Sequence, residues 1–336
     1  MGFRLLLLPL SALYGGVNAL LRKLHESGVL TRRKSRLPVI CVGNITVGGT
    51  GKTPLIEKLV ETLWETRLAV VSRGYGRKTK GMIRATEAST AEEIGDEPSQ
   101  IKKKYPRVEV IVEGDRNKSI AKIEDEDLAE VVLMDDGHQH YSTSAGMTIL
   151  VCDYARPVWE DMPMPAGRLR EFPGVGMSGA QIVVVNKCPK VLTVGERRRI
   201  EDQLWKYTSA DVFFARIGYR ALRAENEEGK TPTGRAVAVA GIGRPGPFFE
   251  AVERLYEEVR RMEYPDHHIY SEAEKAEIVR VARETGSVVV TTEKDYRRLE
   301  GLSGVGLLTL PIGIEFFDDT EDLFINKVKS YVNRRD

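Results

Sequence analysis

Residues 43–54 constrain the fold more than any other stretch of the chain: Gly43-Asn44-Ile45-Thr46-Val47-Gly48-Gly49-Thr50-Gly51-Lys52-Thr53-Pro54. A strand-like apolar run, Pro38-Val39-Ile40-Cys41-Val42, leads in, and a helix-compatible run from Leu55 to Trp64 leads out. A glycine-rich turn in that setting lets backbone N–H groups approach an anion, and the helix N-terminus adds the positive end of its dipole. The pattern reads as a phosphate loop. Gly48, Gly49, Thr50 and Gly51 form the cradle, Lys52 reaches the β- and γ-phosphates of a nucleoside triphosphate such as ATP, and Thr53 faces its Mg²⁺. The general pattern carries glycine five residues before Gly51, where this chain has Thr46. The competing reading, a glycine-rich turn before an ordinary helix, leaves the Gly-Lys-Thr ending unexplained.

Short Val/Ile/Leu runs alternate with helical patterns over the rest of the chain. Strands are expected at 68–72, 109–112, 131–134, 147–152 and 181–185, with helices such as 117–126 and 195–207 between them. Near-continuous apolar strands in a βαβ rhythm predict a parallel sheet covered on both faces. A second series follows, with strands near 212–217, 236–240, 287–291 and 306–310 and helices near 246–261, 272–284 and 320–332. The polar, turn-rich stretch from Arg223 to Pro232 separates the two series. The expected fold is therefore α/β: a P-loop NTPase-like parallel-sheet domain over 28–222, a second, smaller α/β domain over 223–336, and an N-terminal amphipathic helix over 1–27. At 336 residues the chain is long enough for two cores. A net charge of +1 argues against a nucleic-acid binder, and three scattered cysteines, Cys41, Cys152 and Cys188, fit a reducing compartment without a disulfide framework.

The N-terminal segment admits three readings. A signal peptide has the basic start and short apolar run of Arg4 and Leu5–Leu8, but an exported chain would lack ATP. A spanning helix needs about 20 apolar residues, and here Ser11, Gly15, Gly16 and Asn18 interrupt. An amphipathic helix fits the spacing. Leu10, Leu13, Tyr14, Val17, Leu20, Leu21 and Leu24 make one stripe, and Ser11, Gly15, Asn18, Arg22, His25 and Glu26 the other. Residues 1–36 also hold seven lysines and arginines against one acid, which suits the surface of an anionic bilayer better than packing on the protein's own core.

Several polar clusters follow expected strand ends, the usual ligand edge of an open α/β sheet. Val131–Met134 runs into Asp135-Asp136-Gly137-His138-Gln139-His140, and one of the two aspartates is the expected Mg²⁺ partner of the phosphate loop. Ser72-Arg73-Gly74-Tyr75-Gly76-Arg77 offers arginine forks for phosphate and a tyrosine for a sugar face. Gly95-Asp96-Glu97-Pro98 opens a helix with Asp96 near its N-cap, or presents a carboxylate able to accept a hydroxyl proton. Arg116 in Glu113–Arg116, and Arg170 and Glu171 in Gly167–Glu171, fall on the same rhythm. Tyr264-Pro265-Asp266-His267-His268 pairs two histidines with an aspartate, and Thr292-Glu293-Lys294-Asp295 ends another Val-rich strand.

Taken in order, seven motifs resemble the tetraacyldisaccharide 4'-kinase family of the lipid A pathway in Gram-negative bacteria. They are Gly-Asn-x-Thr-x-Gly-Gly-Thr-Gly-Lys-Thr-Pro, Ser-Arg-Gly-Tyr-Gly-Arg, Gly-Asp-Glu-Pro, Asp-Asp-Gly-x-Gln-His, Gly-x-Leu-Arg-Glu, Asp-His-His and Thr-x-Lys-Asp, and they span nearly the whole chain. The resemblance implies ATP- and Mg²⁺-dependent phosphorylation of the 4'-hydroxyl of an acylated glucosamine disaccharide 1-phosphate, a phosphotransfer to an alcohol. It implies a peripheral enzyme on the cytoplasmic face of the bacterial inner membrane, with no nucleic-acid partner and no obligate protein partner. Carried over motif by motif, it makes Lys52 and Thr53 nucleotide and metal contacts. Asp135, Asp136 and Gln139 become the metal and nucleotide edge, and Asp96 the base, assisted by His267 rather than His268. Arg170 and Glu171 fall near the reacting phosphate, and Arg73, Tyr75 and Arg116 against the substrate. A membrane-associated switch ATPase of the partitioning type is the contrasting class. Its signature lysine before the glycine pair is replaced here by Val47.

Overall fold

The computed structural model describes residues 6–230, 234–266, 268–299 and 301–334. The chain divides into two compact units, Met1–Ile217 with Ile314–Asp336, and Gly218–Gly313.

The first unit opens with helix α1, Leu8–Glu26, with Pro9 in its first turn where no amide donor is needed. Its sheet is built from β1 (Val39–Gly43), β2 (Leu68–Ser72), β3 (Glu109–Val112), β4 (Val131–Asp135), β5 (Met147–Asp153), β6 (Ile182–Asn186) and β7 (Asp211–Tyr219). With β12 (Ile312–Phe316) on one edge and the short strand Ile83–Arg84 on the other, the order is β12-β7-β6-β5-β1-β4-β2-β3 and then Ile83–Arg84. Strands β1 to β7 pair in parallel throughout. Every residue of β1, β2, β4 and β6 is buried, because helices cover both faces, and this is why those strands read as unbroken Val/Ile runs. Parallel pairing puts Gly43, Ser72, Val112, Asp135, Asp153 and Asn186 at one edge of the sheet.

The second unit carries β8 (Arg235–Ala240), β9 (Glu258–Glu263), β10 (Val288–Thr291) and β11 (Leu307–Thr309), in the order Arg223–Ala224, β11, β10, β8, β9. Its cores lie on the two faces of this sheet, one around Phe248, Phe249 and Val252 and the other around Ile278, Val281 and Leu299.

Two expectations differ from this arrangement. The helix expected over 246–261 stops at Glu253, and Glu258–Glu263 forms β9, paired with β8 from Arg235↔Glu258 to Ala240↔Glu263. The strand covers the open edge of β8, whose backbone groups would otherwise lack partners, and its own outer edge is defended by charge. Those charged residues (Glu258, Arg260, Arg261 and Glu263) are what made the segment resemble a helix surface. The domain boundary also differs, since residues 314–336 belong to the first unit rather than the second. Their helix, Glu321–Val332, buries Phe324 and Val328 in the core of the large sheet, with Phe324 edge-on to Phe213 at 5.6 Å, and its Tyr331 hydroxyl meets the Val39 backbone at 3.1 Å.

Candidate active site

The phosphate loop lies between β1 and helix α2, Lys52–Thr62. The N-cap of α2 is Gly51, at φ 95°, a conformation that L side chains rarely adopt. A Cβ there would also stand 2.1 Å from the Asn186 amide nitrogen. That amide donates to the Thr50 carbonyl at 3.1 Å, and Asn44 reaches across the loop to the Thr50 hydroxyl at 3.2 Å. The next residue, Lys187, bonds the Gly49 carbonyl and pairs with Asp153 at 3.0 Å. Asn186, Lys187 and Asp153 thus hold the loop from the β5–β6 side. None of the three was picked out by sequence reasoning. The available signal was an Asn-Lys pair closing a Val-rich strand.

On the other side of β1, register puts Asp135 across from Val42, one residue before the loop. Asp135 is buried and accepts from the Ser72 hydroxyl at 3.2 Å, and burial raises its carboxyl to about 6. Asp136 behaves differently. Burial alone would raise it, but Lys52 at 3.3 Å and Arg170 at 3.0 Å outweigh that and hold it below the ordinary range. Arg170 also donates to Gln139 Oε1 at 2.9 Å, and Gln139 donates in turn to the Asn44 carbonyl and to Glu171, both at 3.0 Å. Lys52, Asp136, Arg170, Gln139 and Glu171 are therefore one connected cluster against the loop.

Glu171 sits deeper than an expected phosphate neighbour would. It is fully buried and takes both prongs of Arg22 from α1, at 2.7 and 3.0 Å; burial favours its neutral form, but Arg22 outweighs this and keeps it ionised. Arg116, expected against the substrate, is tied to backbone carbonyls. It is buried, and its guanidinium donates to the Gly114 carbonyl at 2.8 Å and the Asp136 carbonyl at 3.4 Å, beside the aspartate edge.

Asp96 is the first residue of the helix Asp96–Lys104; its N-cap is Gly95, so Asp96 does not cap the helix. Gly95 has φ 96°, and a Cβ there would lie 3.0 Å from the Gly74 backbone. This backbone contact seats the start of the Asp96 helix against the Arg73-Gly74-Tyr75 loop. Arg73 is exposed, and Tyr75 is 84% exposed. His267 lies outside the described residues. Its neighbour His268 is engaged within the second unit, stacked on Tyr264 at 4.9 Å and 3.0 Å from Glu274.

Thr53, Asp135 and Asp136 offer hard oxygen donors beside the loop. Among the described residues no group of three or more His, Cys, Asp or Glu could hold a metal ion. A donor set of one hydroxyl and one or two carboxylates suits Mg²⁺, which takes few protein ligands and completes its shell with phosphate oxygens and water.

Residues 3–330 match the family described as LpxK, tetraacyldisaccharide-1-P 4'-kinase. The chain belongs to the tetraacyldisaccharide 4'-kinase family. It is 37% identical to the tetraacyldisaccharide 4'-kinase of Porphyromonas gingivalis over 97% of both chains. It is likewise 37% identical to that of Flavobacterium johnsoniae over 96% of both. A crystal structure of LpxK from Aquifex aeolicus in complex with ATP superimposes with a TM-score of 0.76 at 29% identity, covering 98% of this chain and 99% of that one. Thr46, which departs from the general phosphate-loop pattern, thus stands in a chain that matches the kinase family along nearly its whole length.

Helix α1 orients its stripes in a way that bears on this family's lipid substrate. Ser11, Gly15 and Arg22, from the polar stripe, are buried against the protein, while Leu10, Leu13, Val17, Leu20 and Leu21 are exposed. The Ser11 hydroxyl accepts from the Ala166 N–H at 2.8 Å, and a Cβ on Gly15 would stand 2.4 Å from the Phe172 ring. The apolar stripe therefore faces away from the core. Among the described residues no helix is long and apolar enough to cross a membrane.

Proposed function

We propose that this chain transfers the γ-phosphoryl group of ATP to the 4'-hydroxyl of a tetraacylated glucosamine disaccharide 1-phosphate at the cytoplasmic surface of the bacterial inner membrane. The single observation that carries the reading is the charge cluster against the phosphate loop: Lys52 and Arg170 share Asp136 at the mouth of a helix N-terminus. Phosphoryl transfer needs in-line positioning and offset of charge rather than covalent chemistry. Lys52, the loop amides and Arg170 supply positive charge for the terminal phosphates. Thr53 with Asp135 or Asp136 would hold Mg²⁺, which when bound neutralises charge on the β- and γ-phosphate oxygens. Asp96 accepts the proton of the attacking hydroxyl, with His267 as its assistant, and Arg73 and Tyr75 contact the disaccharide. Gln139 supports the nucleotide edge by tying Arg170 to the loop.

The outward apolar stripe of α1 supports the membrane assignment. Each buried CH₂ of an acyl chain contributes about 0.8 kcal/mol, so the acceptor stays in the bilayer and the enzyme must come to it.

The test uses γ-labelled ATP with the lipid disaccharide or with water alone. Label on the lipid is expected, and release of free phosphate as the only product would assign a switch ATPase instead. Asp96→Ala is expected to lower kcat by about 10²–10⁴-fold, the usual contribution of a positioned base, with ATP affinity retained. Wild-type turnover in that variant would remove Asp96 from the base role.

A further inference from the structure

We propose that Arg22, on the helix that faces the bilayer, is a positioning residue for phosphoryl transfer, acting through Glu171 on Arg170. The proposal rests on the reading of Arg170 as a contact of the transferred phosphate.

The geometry is continuous. Arg22 grips both oxygens of Glu171, at 2.7 and 3.0 Å, and both side chains are almost wholly buried. The guanidinium is held from its other sides as well. Its Nη2 lies 2.9 Å from His138 Nε2, its face covers the Tyr141 ring at 4.7 Å, and Glu26 lies 3.6 Å away on the same helix. A planar fork clamped in this way fixes orientation as well as charge, which a lysine cannot do. Glu171 is the residue after Arg170, and the segment containing both is laid along the phosphate loop. Val47 N–H donates to the Arg168 carbonyl at 2.8 Å, Arg170 N–H donates to the Ile45 carbonyl at 2.7 Å, and Thr46 bridges to Leu169. Side chains close the circuit, since Gln139 links Glu171 to Arg170, and Arg170 and Lys52 meet on Asp136.

The same segment is what the rest of α1 docks on, through Ser11 to Ala166 and Gly15 to Phe172. A helix needed only as a lipid anchor could be held by apolar packing. This one spends its buried face on the segment that aims Arg170, and it inserts a charge that would be costly to bury for anchorage alone. The seat of α1 and the aim of Arg170 are therefore one structural event.

The experiment is a double-mutant cycle on the full-length chain, with Arg22→Gln, Arg170→Gln and the pair, assayed with ATP and lipid disaccharide in mixed micelles. Vesicle co-sedimentation and thermal melting accompany each variant. Arg22→Gln is expected to lower kcat by about 10²-fold, the cost of a small misplacement at a phosphoryl centre, with the KM for lipid and the vesicle-bound fraction unchanged. The pair is expected to be no slower than Arg170→Gln alone, because coupled residues are not additive. Should Arg22→Gln not fold, Arg22→Lys keeps the buried charge but not the fork, and a reduced kcat at unchanged lipid KM remains the expected result. A pair that shows the product of the two single losses overturns the relay while leaving Arg170 its role. A raised lipid KM with wild-type kcat in Arg22→Gln overturns it in favour of simple anchorage. Wild-type kcat in Arg170→Gln overturns the reading of Arg170 itself, and the relay with it.

Discussion

Replacing two outward leucines of α1 tests the membrane assignment on its own terms. Leu13 and Leu20 are 65% and 58% exposed and belong to the stripe that faces away from the protein. Full burial of a leucine side chain is worth about 1.5–3 kcal/mol, so immersing the exposed parts of these two in the acyl boundary should contribute about 1–2 kcal/mol each. Leu13→Gln with Leu20→Gln removes that contribution without a helix-propensity penalty, since Leu and Gln are near-equal helix formers. At about 1.4 kcal/mol per tenfold, the double variant should lose about 30- to 700-fold in partition onto vesicles containing anionic lipid. Exposed Lys23, Arg32 and Lys34 remain to provide a weaker, salt-sensitive attraction. Co-sedimentation across a lipid titration measures the shift, and a thermal melt of the same protein provides the control. The melting midpoint should hold, because neither side chain is packed against the core. Unchanged partition would refute the reasoning, and so would a fall of several degrees in the midpoint, which would mean that this stripe covers protein.

Two further outcomes follow from the geometry. In metal-free buffer with chelator, Asp135→Asn should gain stability over the wild type as pH rises. Burial moves the Asp135 carboxyl from 3.8 to about 6, so the native state favours its proton: that advantage is complete below about pH 4 and is lost as pH rises through about 6. The stability gap between variant and wild type should therefore widen by up to about 3 kcal/mol, at about 1.36 kcal/mol per pKa unit, and then level off. A gap independent of pH in denaturant titrations would contradict it. Gly15→Val should wedge α1 off the Phe172 ring, since even a Cβ stands 2.4 Å from it. Overpacking of this kind costs about 1–3 kcal/mol, and kcat should fall with it; a variant as stable and as fast as the wild type would show that the contact yields freely.

The legible parts of the sequence were those in which one physical demand dominates. Strands β1, β2, β4 and β6 are buried on both faces, so their apolar runs admit little else, and the phosphate loop fixes which strand stands at the ligand edge. Strand β9 was not legible. It is an edge strand with alternating charge, and only the open flank of β8 explains why it is extended. The same holds for Glu171 and Arg116. Their motifs mark them as charged residues after strand ends, yet spacing does not encode that both side chains are buried and tied to protein partners. Asn186 and Lys187 were missed because their contacts run to the backbone carbonyls of Thr50 and Gly49, and carbonyls carry no sequence signature.

The N-terminal helix shows most clearly what pattern alone leaves open. Two stripes at helical spacing establish amphipathicity but not which stripe looks inward, and in a soluble domain the apolar one does. Here the inward stripe is Ser11, Gly15 and Arg22, because the surface that receives it offers a free N–H at Ala166, a flat ring at Phe172 and a buried carboxylate at Glu171. A small residue, a hydroxyl and a cation match that surface, whereas a leucine would leave the buried carboxylate without its counter-charge, Gln139 being its remaining hydrogen-bond donor, at a cost of several kcal/mol. The leucines are thus turned outward by the polarity of the active-site segment itself. A kinase whose acceptor cannot leave the bilayer needs an apolar face directed outward and a phosphate site held at a fixed depth behind it. In this chain the Arg22–Glu171 ion pair, beside the Ser11 and Gly15 contacts, joins the helix that carries the outward stripe to the segment that carries Arg170.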